Sequence, residues 1–258
     1  MSITNFVDPN MIPKSVKIMF GPQFFVLPEG SMVGEKREDL QDRCVYNCLS
    51  SWVKYLYEEM VPSMIMPLEC LPFSVDTNRF QPTGLTGPKE RIWDCVVYVK
   101  RRSNELINHA IDLLQSKQLS YKIFQYGSYQ ESDYLHELQH CKWMLVLDAH
   151  ESQGFALEEA MSCNVPLLVM DASSLYDETT DGGKTYTYEY LKPKDLKATS
   201  VPYWSNECGI KIQTKEDLSQ AMDTMMATYH KFSPRAYILQ TLSDEVCMKR
   251  ILEYFSLC

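Results

Sequence analysis

Two acids eight positions apart, Glu151 and Glu159, bracket the segment Glu151-Ser152-Gln153-Gly154-Phe155-Ala156-Leu157-Glu158-Glu159-Ala160-Met161. Gly154 permits close backbone approach, and the amides of Phe155 and Ala156 become first-turn donors if a helix starts there. Such amides, with the helix dipole, attract phosphate-like anions, while carboxylates accept hydrogen bonds from hydroxyl groups. The layout suits a ligand that carries both groups, and a sugar nucleotide is one. Spacing leaves open whether Glu158 or Glu159 faces such a ligand. With Leu157, Ala160 and Met161 on the core side, both acids are expected to project away from the core. The plainer reading is an acidic helix start that only complements the dipole.

A second cluster, Lys100-Arg101-Arg102, directly follows an apolar run. Three cations at the carboxyl end of a strand can neutralise a diphosphate, with arginine offering bidentate contacts. A solvated basic turn is the alternative. The chain also contains His136-Glu137-Leu138-Gln139-His140, a literal HExxH, with Glu158 or Glu159 at the distance of a third zinc ligand. Its context points elsewhere. Tyr134, Leu135, Leu138 and Cys141 form the apolar face, so both histidines are expected towards solvent, and the segment runs straight into a strand. An exposed helix face is therefore preferred to a zinc hydrolase. No Gly-x-Ser-x-Gly elbow, Walker loop or GxGxxG is present, and every histidine lies at or beyond His109. Tyr203-Trp204 is either an aromatic platform for a base or sugar, or a packed pair.

The totals narrow the setting. A chain of 258 residues suits one large domain or two small ones. A net charge of -9 and a pI of about 5.1 argue against a nucleic-acid backbone as the main ligand. No secretory signal stands in the first thirty residues, and no apolar run approaches the roughly 18 residues that span a bilayer. Nine cysteines without a CxxC pair read as reduced thiols in a cytoplasmic protein. Cys95, Cys141 and Cys163 read as small core residues.

The elements that must carry these residues alternate from about Ile92 onwards. The pattern predicts strands over Ile92 to Tyr98, Tyr121 to Phe124, Trp143 to Leu147 and Pro166 to Met170. Helices are predicted over Asn104 to Leu114, Glu131 to His140 and Phe155 to Cys163. Alternation at this spacing means right-handed βαβ units and a parallel sheet, whose ligands bind beyond the carboxyl ends of the strands. Before residue 90 the pattern is less regular. Val16 to Phe20 and Phe24 to Leu27 read as strands, Ser51 to Glu59 as a helix, and Pro67 to Asp76 as an extended connector. Pro82 to Pro88 reads as a linker, and the stretch around Asp181-Gly182-Gly183 as a long polar loop. Two helices, near Lys215 to His230 and Leu242 to Phe255, close the chain.

Residues from about 70 to 230 resemble the nucleotide-binding half of retaining glycosyltransferases with the GT-B (double Rossmann) fold, the group 1 or family 4-like enzymes. Leu71-Pro72-Phe73-Ser74-Val75-Asp76-Thr77-Asn78-Arg79-Phe80-Gln81-Pro82 is similar to that family's P-x-G-V-D-x-x-x-F-x-P connector. Glu151 through Pro166 is similar to its E-x7-E block. The resemblance implies an α/β fold: a Rossmann-type parallel-sheet C-terminal domain over residues 86–235 and a reduced α/β N-terminal domain over 1–85. It further implies a C-terminal helix over 236–258 returning towards the first half. Glu151 would contact donor-sugar hydroxyls and Glu159 the ribose hydroxyls. Gly154, Phe155 and Ala156 would present amides, and Lys100 with Arg101 or Arg102 would neutralise the leaving diphosphate. Such enzymes need no metal or other cofactor; the partners implied are a nucleotide-sugar donor and a glycan or small-molecule acceptor. The first half is about half the usual length and has neither the glycine-rich loop nor the active-site histidine. The acceptor side is thus abbreviated, missing, or borrowed from a partner chain or second copy, and a donor-binding module inactive alone is the second expectation.

Overall fold

The computed structural model describes residues 8–22, 32–60, 63–83, 92–175 and 196–257. Phe24 to Leu27, most of the Pro82 to Pro88 linker and the Asp181-Gly182-Gly183 segment lie outside them.

Two parallel sheets form the frame. The smaller holds β1 (Ile18–Phe20), β2 (Cys44–Cys48) and β3 (Leu68–Cys70) in that order, with α1 (Glu38–Gln41) and α2 (Ser51–Met60) between them in sequence. β2 pairs with both neighbours, Ile18 opposite Cys44 and Tyr46 opposite Leu68. All five of its residues are buried, as expected of a strand covered on both faces. The stretch from Pro67 to Asp76 is therefore not wholly a connector, because it opens with β3.

The larger sheet is built from β4 (Trp93–Lys100), β5 (Tyr121–Gln125), β6 (Cys141–Asp148), β7 (Leu167–Met170) and β8 (Gly209–Ile212), in the order β5-β4-β6-β7-β8. The chain crosses between its strands through α3 (Asn104–Ser116), α4 (Glu131–Leu138) and α5 (Phe155–Ser162). α6 (Leu218–Thr228), α7 (Pro234–Thr241) and α8 (Asp244–Leu257) follow the sheet. The expected helix near Lys215 to His230 is an α-helix with a 3-10 turn at each end, and α7 is an additional element.

Alternation along β4 and β6 sends side chains to two cores. Val96, Tyr98, Met144 and Val146 pack with Tyr134, Leu138, Leu157 and Met161 of α4 and α5. Cys95, Val97, Trp143 and Leu145 pack with Leu106, Ala110 and Leu114 of α3 and with Met222 and Met225 of α6. A third core joins the small sheet to Ala172, Leu175, Leu196 and Ala198 from the segment after β7. Cys95, Cys141 and Cys163 are buried cysteines outside any disulfide, as the sequence implied.

The segment that leads from the small sheet to the large one is held by three polar side chains. Asn47 donates to the Leu71 carbonyl and accepts from the Leu71 amide, both at 2.9 Å. Gln153 does the same for Phe73, donating to its carbonyl at 2.7 Å and accepting from its amide at 3.0 Å. Arg235 donates to the carbonyls of Thr77, Phe80 and Ser162 at 3.0, 3.0 and 2.6 Å.

Asn47 is 3% exposed, so truncation strands a buried amide and carbonyl. Asn47→Ala is expected to lower the unfolding free energy by about 2–4 kcal/mol in urea titrations. A loss under about 0.5 kcal/mol, the scale of an ordinary surface change, would show that the Asn47 grip adds little.

Candidate functional site

The strand order reverses at β4, because the chain passes first to β5 on one side and then to β6 on the other. In open parallel sheets the crevice beyond such a reversal is where ligands enter. β4 and β6 end level there, with Lys100 opposite Asp148. Lys100 is the last residue of β4 rather than the first of the following turn.

The two residues to which the sequence assigned separate tasks meet at this edge. Lys100 Nζ forms an ion pair with Glu151 Oε1, with side-chain exposures of 7% and 13%. Its ammonium also lies 4.2 Å from the centre of the Tyr126 ring. Burial works against the charge on Lys100, but Glu151 and Asp148 outweigh it, and its pKa ends above the usual value. Arg101 is exposed and holds a left-handed backbone (φ 54°), uncommon for a non-glycine residue, whereas Arg102 is 8% exposed. The basic run thus divides into a buried ion-paired lysine, an exposed arginine and a buried arginine.

The Glu151 turn is anchored from behind. The Glu151 amide donates to Thr199 O at 3.2 Å, and Ser200 Oγ donates to Asp148 O at 2.8 Å. Asp171 fixes both partners, accepting from Thr199 Oγ1 and from the Ser200 amide at 2.9 and 2.7 Å. His150 is buried with its ring 5.8 Å from that of Trp52 on α2. Burial, and then the nearby Arg101 and Lys100, lower its pKa to about 3, so the imidazole is neutral.

Gly154 begins α5 with φ +94°, and a Cβ there would lie 3.5 Å from that of Glu151. Its carbonyl accepts from the amides of Leu157 and Glu158 at 3.0 Å each, so the amides of Phe155 and Ala156 precede the helical ladder. Phe155 and Phe73 stack at the mouth, 42% and 47% exposed, with centroids 6.4 Å apart.

The two acids that follow part company. Glu158 does not project away from the core. It is 1% exposed, with Oε2 accepting from Gln153 at 3.0 Å. Burial pushes its carboxyl well above the ordinary range, with the Gln153 hydrogen bond opposing. Glu159 is half-buried one position further round the helix. Burial, with Glu131 adding and Arg79 opposing, raises its pKa to about 7. The phenol of Tyr129 feels both Glu159 and Glu151 and is pushed up to about 12, mainly by burial. A cavity of about 450 Å³ lies over β5 and α4, lined by Gln125, Tyr129, Asp133, His136 and Glu137 and not by Lys100, Glu151 or Glu159.

The HExxH residues make no such convergence. Glu137 accepts from the Trp93 indole at 2.6 Å, and His140 Nδ1 contacts the His136 carbonyl at 2.6 Å. Among the described residues no group of three or more potential ligands could hold a metal. Tyr203 is a packed residue, donating to Leu49 O at 2.7 Å, and the Lys211 ammonium lies 5.5 Å from the centre of the Trp204 ring. Sequence reasoning missed Asp148, Tyr126, His150 and Gln153. Only the first carried a signal, as a charged residue closing an apolar strand.

No family model matches the chain, and no curated protein sequence matches it. Solved structures do. A sucrose-phosphate synthase from Thermosynechococcus elongatus superposes with a TM-score of 0.54 at 14% identity, over 85% of this chain and 59% of its own. A TarM variant from S. aureus, in complex with fondaparinux, alpha-GlcNAc-glycerol and UDP, gives 0.52 at 13% identity over 81% and 43%. The lipopolysaccharide outer core galactosyltransferase WaaB, in its apo form, gives 0.51 at 12% identity over 83% and 62%. The fold resembles that of GT-B glycosyltransferase domains, with parallel sheets of three and five strands among the described residues. The chain spans about half the length of the structures it matches.

Glu159 generates a pH dependence. A carboxyl with a folded pKa of about 7 keeps a proton that the unfolded chain releases near 4.5. Its contribution to stability is full below about pH 4.5 and is lost as the pH rises to about 7. Glu159→Gln should therefore flatten the decline of unfolding free energy across that window by up to one proton's slope. Identical slopes in denaturation series of variant and parent would show that Glu159 does not titrate there.

Proposed function

We propose that the chain binds a nucleotide-sugar donor in the crevice beyond β4 and β6 and transfers its sugar, with retention and without a metal, to a glycan or small acceptor. The observation that carries this reading is the Lys100–Glu151 pair, set at the strand reversal beside the first turn of α5. A cation, two amides and an acid share one edge, which is the chemistry a pyrophosphate flanked by hydroxylated rings requires. The WaaB match is a galactosyltransferase, and the TarM match carries UDP. These matches support the same ligand class here.

In this reading Lys100 and Arg101 neutralise the diphosphate, and Arg102 supports the turn from its buried side. Gly154, Phe155 and Ala156 present backbone to the sugar or phosphate. Glu151 accepts from the sugar hydroxyls and Glu159 from the ribose. The site acts by fixed charges and dipoles aimed at the leaving group as negative charge develops on it. The acceptor attacks from the face that the diphosphate leaves, assisted by a donor phosphate oxygen. Residues 86–235 form the donor lobe, 1–85 a reduced acceptor-side lobe, and 236–258 the return towards it, now as the end of α7 and α8.

A second reading, a donor-binding module that needs another chain for turnover, is favoured by the lack of any histidine before His109 in the sequence. Saturable UDP-sugar binding without hydrolysis or transfer by the purified chain would select it.

Calorimetry with nucleoside diphosphates and bare nucleosides tests the site itself. Arg101→Ala alters an exposed residue, so the fold should hold. Diphosphate affinity is expected to fall roughly tenfold with nucleoside affinity unchanged. Glu159→Ala should weaken both by about 1–3 kcal/mol through lost charge-assisted hydrogen bonds. Equal losses for diphosphate and nucleoside in Arg101→Ala, or none in either variant, would remove the assignment.

A further inference from the structure

Asp148 closes β6 at the centre of this edge with no accessible surface. Its Oδ1 accepts from the Ala149 amide at 2.7 Å, and no donor is directed at its Oδ2. An ionised carboxylate in that position would keep an unsatisfied anionic oxygen out of water, which costs several kcal/mol. The charged and titratable groups facing it are Glu151 from the turn and Lys100 and Tyr98 from β4. Lys100 thus stands beside both acids, and it is already paired with Glu151. Two neighbouring carboxylates, one fully buried and one partly, make each other costly to ionise, and a single proton on the buried one relieves that. Protonation also turns the unsatisfied oxygen into a donor, and Glu151 is the adjacent acceptor.

We propose that Asp148 is a positioning residue: a neutral carboxylic acid whose O–H donates to Glu151 and holds that carboxylate when Lys100 turns to a ligand's diphosphate. The ligand half of this statement rests on the donor-binding reading above; the hydrogen bond does not. Without it, diphosphate binding would draw the Lys100 ammonium away from Glu151 and leave two like charges side by side. With it, Glu151 keeps a donor and its orientation while its salt bridge is broken. Burial, and then Glu151, drive the Asp148 carboxyl well above the usual carboxylate range, with Lys100 opposing, which agrees with the neutral form.

Two measurements test this. Infrared difference spectra of parent minus Asp148→Asn, recorded near neutral pH, should contain the carbonyl band of a protonated carboxyl, and Glu158 cancels because both proteins have it. Absence of that band overturns the proposal, whether or not the chain binds nucleotide. UDP affinity is then compared across substitutions. Asparagine retains a donor of the same shape, so Asp148→Asn should rescue what Asp148→Ala loses, expected at roughly tenfold. Equal losses in the two variants would mean that Asp148 acts as an anion, and would also overturn it. A parent that shows the band but binds no UDP-type ligand keeps the Asp148–Glu151 hydrogen bond and refutes the donor-binding reading alone.

Discussion

Lys100 lies at the end of a central strand with 7% of its side chain exposed, and an ammonium so placed costs several kcal/mol unless an anion stands beside it. That requirement shapes the whole edge. Glu151 has to come back over the strand end, so the chain leaving β6 must turn within three residues of Asp148. Thr199, Ser200 and Asp171 hold that turn from behind. Gly154 then takes a left-handed conformation so that α5 can begin directly against Glu151. Each later feature of the site follows from seating one cation at the point where the strand order reverses.

The same edge is tied to the rest of the molecule through polar groups placed inside it. Gln153 has one face on the Phe73 backbone and its amide nitrogen also on Glu158. A charged Glu158 held 1% exposed with a single neutral partner would be costly, and burial drives its pKa well above the ordinary range. Hydrophobic packing supplies the two faces of the large sheet, but these hydrogen bonds determine which loop meets which strand end.

Much of the large sheet was legible because strands buried on both faces read as apolar runs and the helices between them carry a single apolar stripe. Predicted and observed boundaries differ there by a few residues, as for β4, which runs on to Lys100. Where polar residues are buried, the pattern failed. β2 contains Asn47 and reads as nothing in particular, because its amide is spent on Leu71, 24 positions away. Glu158 was expected outside because Leu157, Ala160 and Met161 mark the core side, and its pairing with Gln153 goes with the inversion. β8 is four residues long and opens with a glycine whose added Cβ would lie 2.0 Å from the Leu167 carbonyl oxygen. Lys100 and Glu151 stand out in the sequence, yet their meeting is a product of strand register that no local pattern contains.

The double grip of Gln153 on Phe73 has a mechanical side. A passage between two lobes ordinarily serves as a hinge, absorbing rotation in its own torsions. Here the passage is bolted to the loop that begins α5, two residues from Glu151. Tilting the small sheet against the large one would therefore pull that loop like a crank, carrying Glu151 with it.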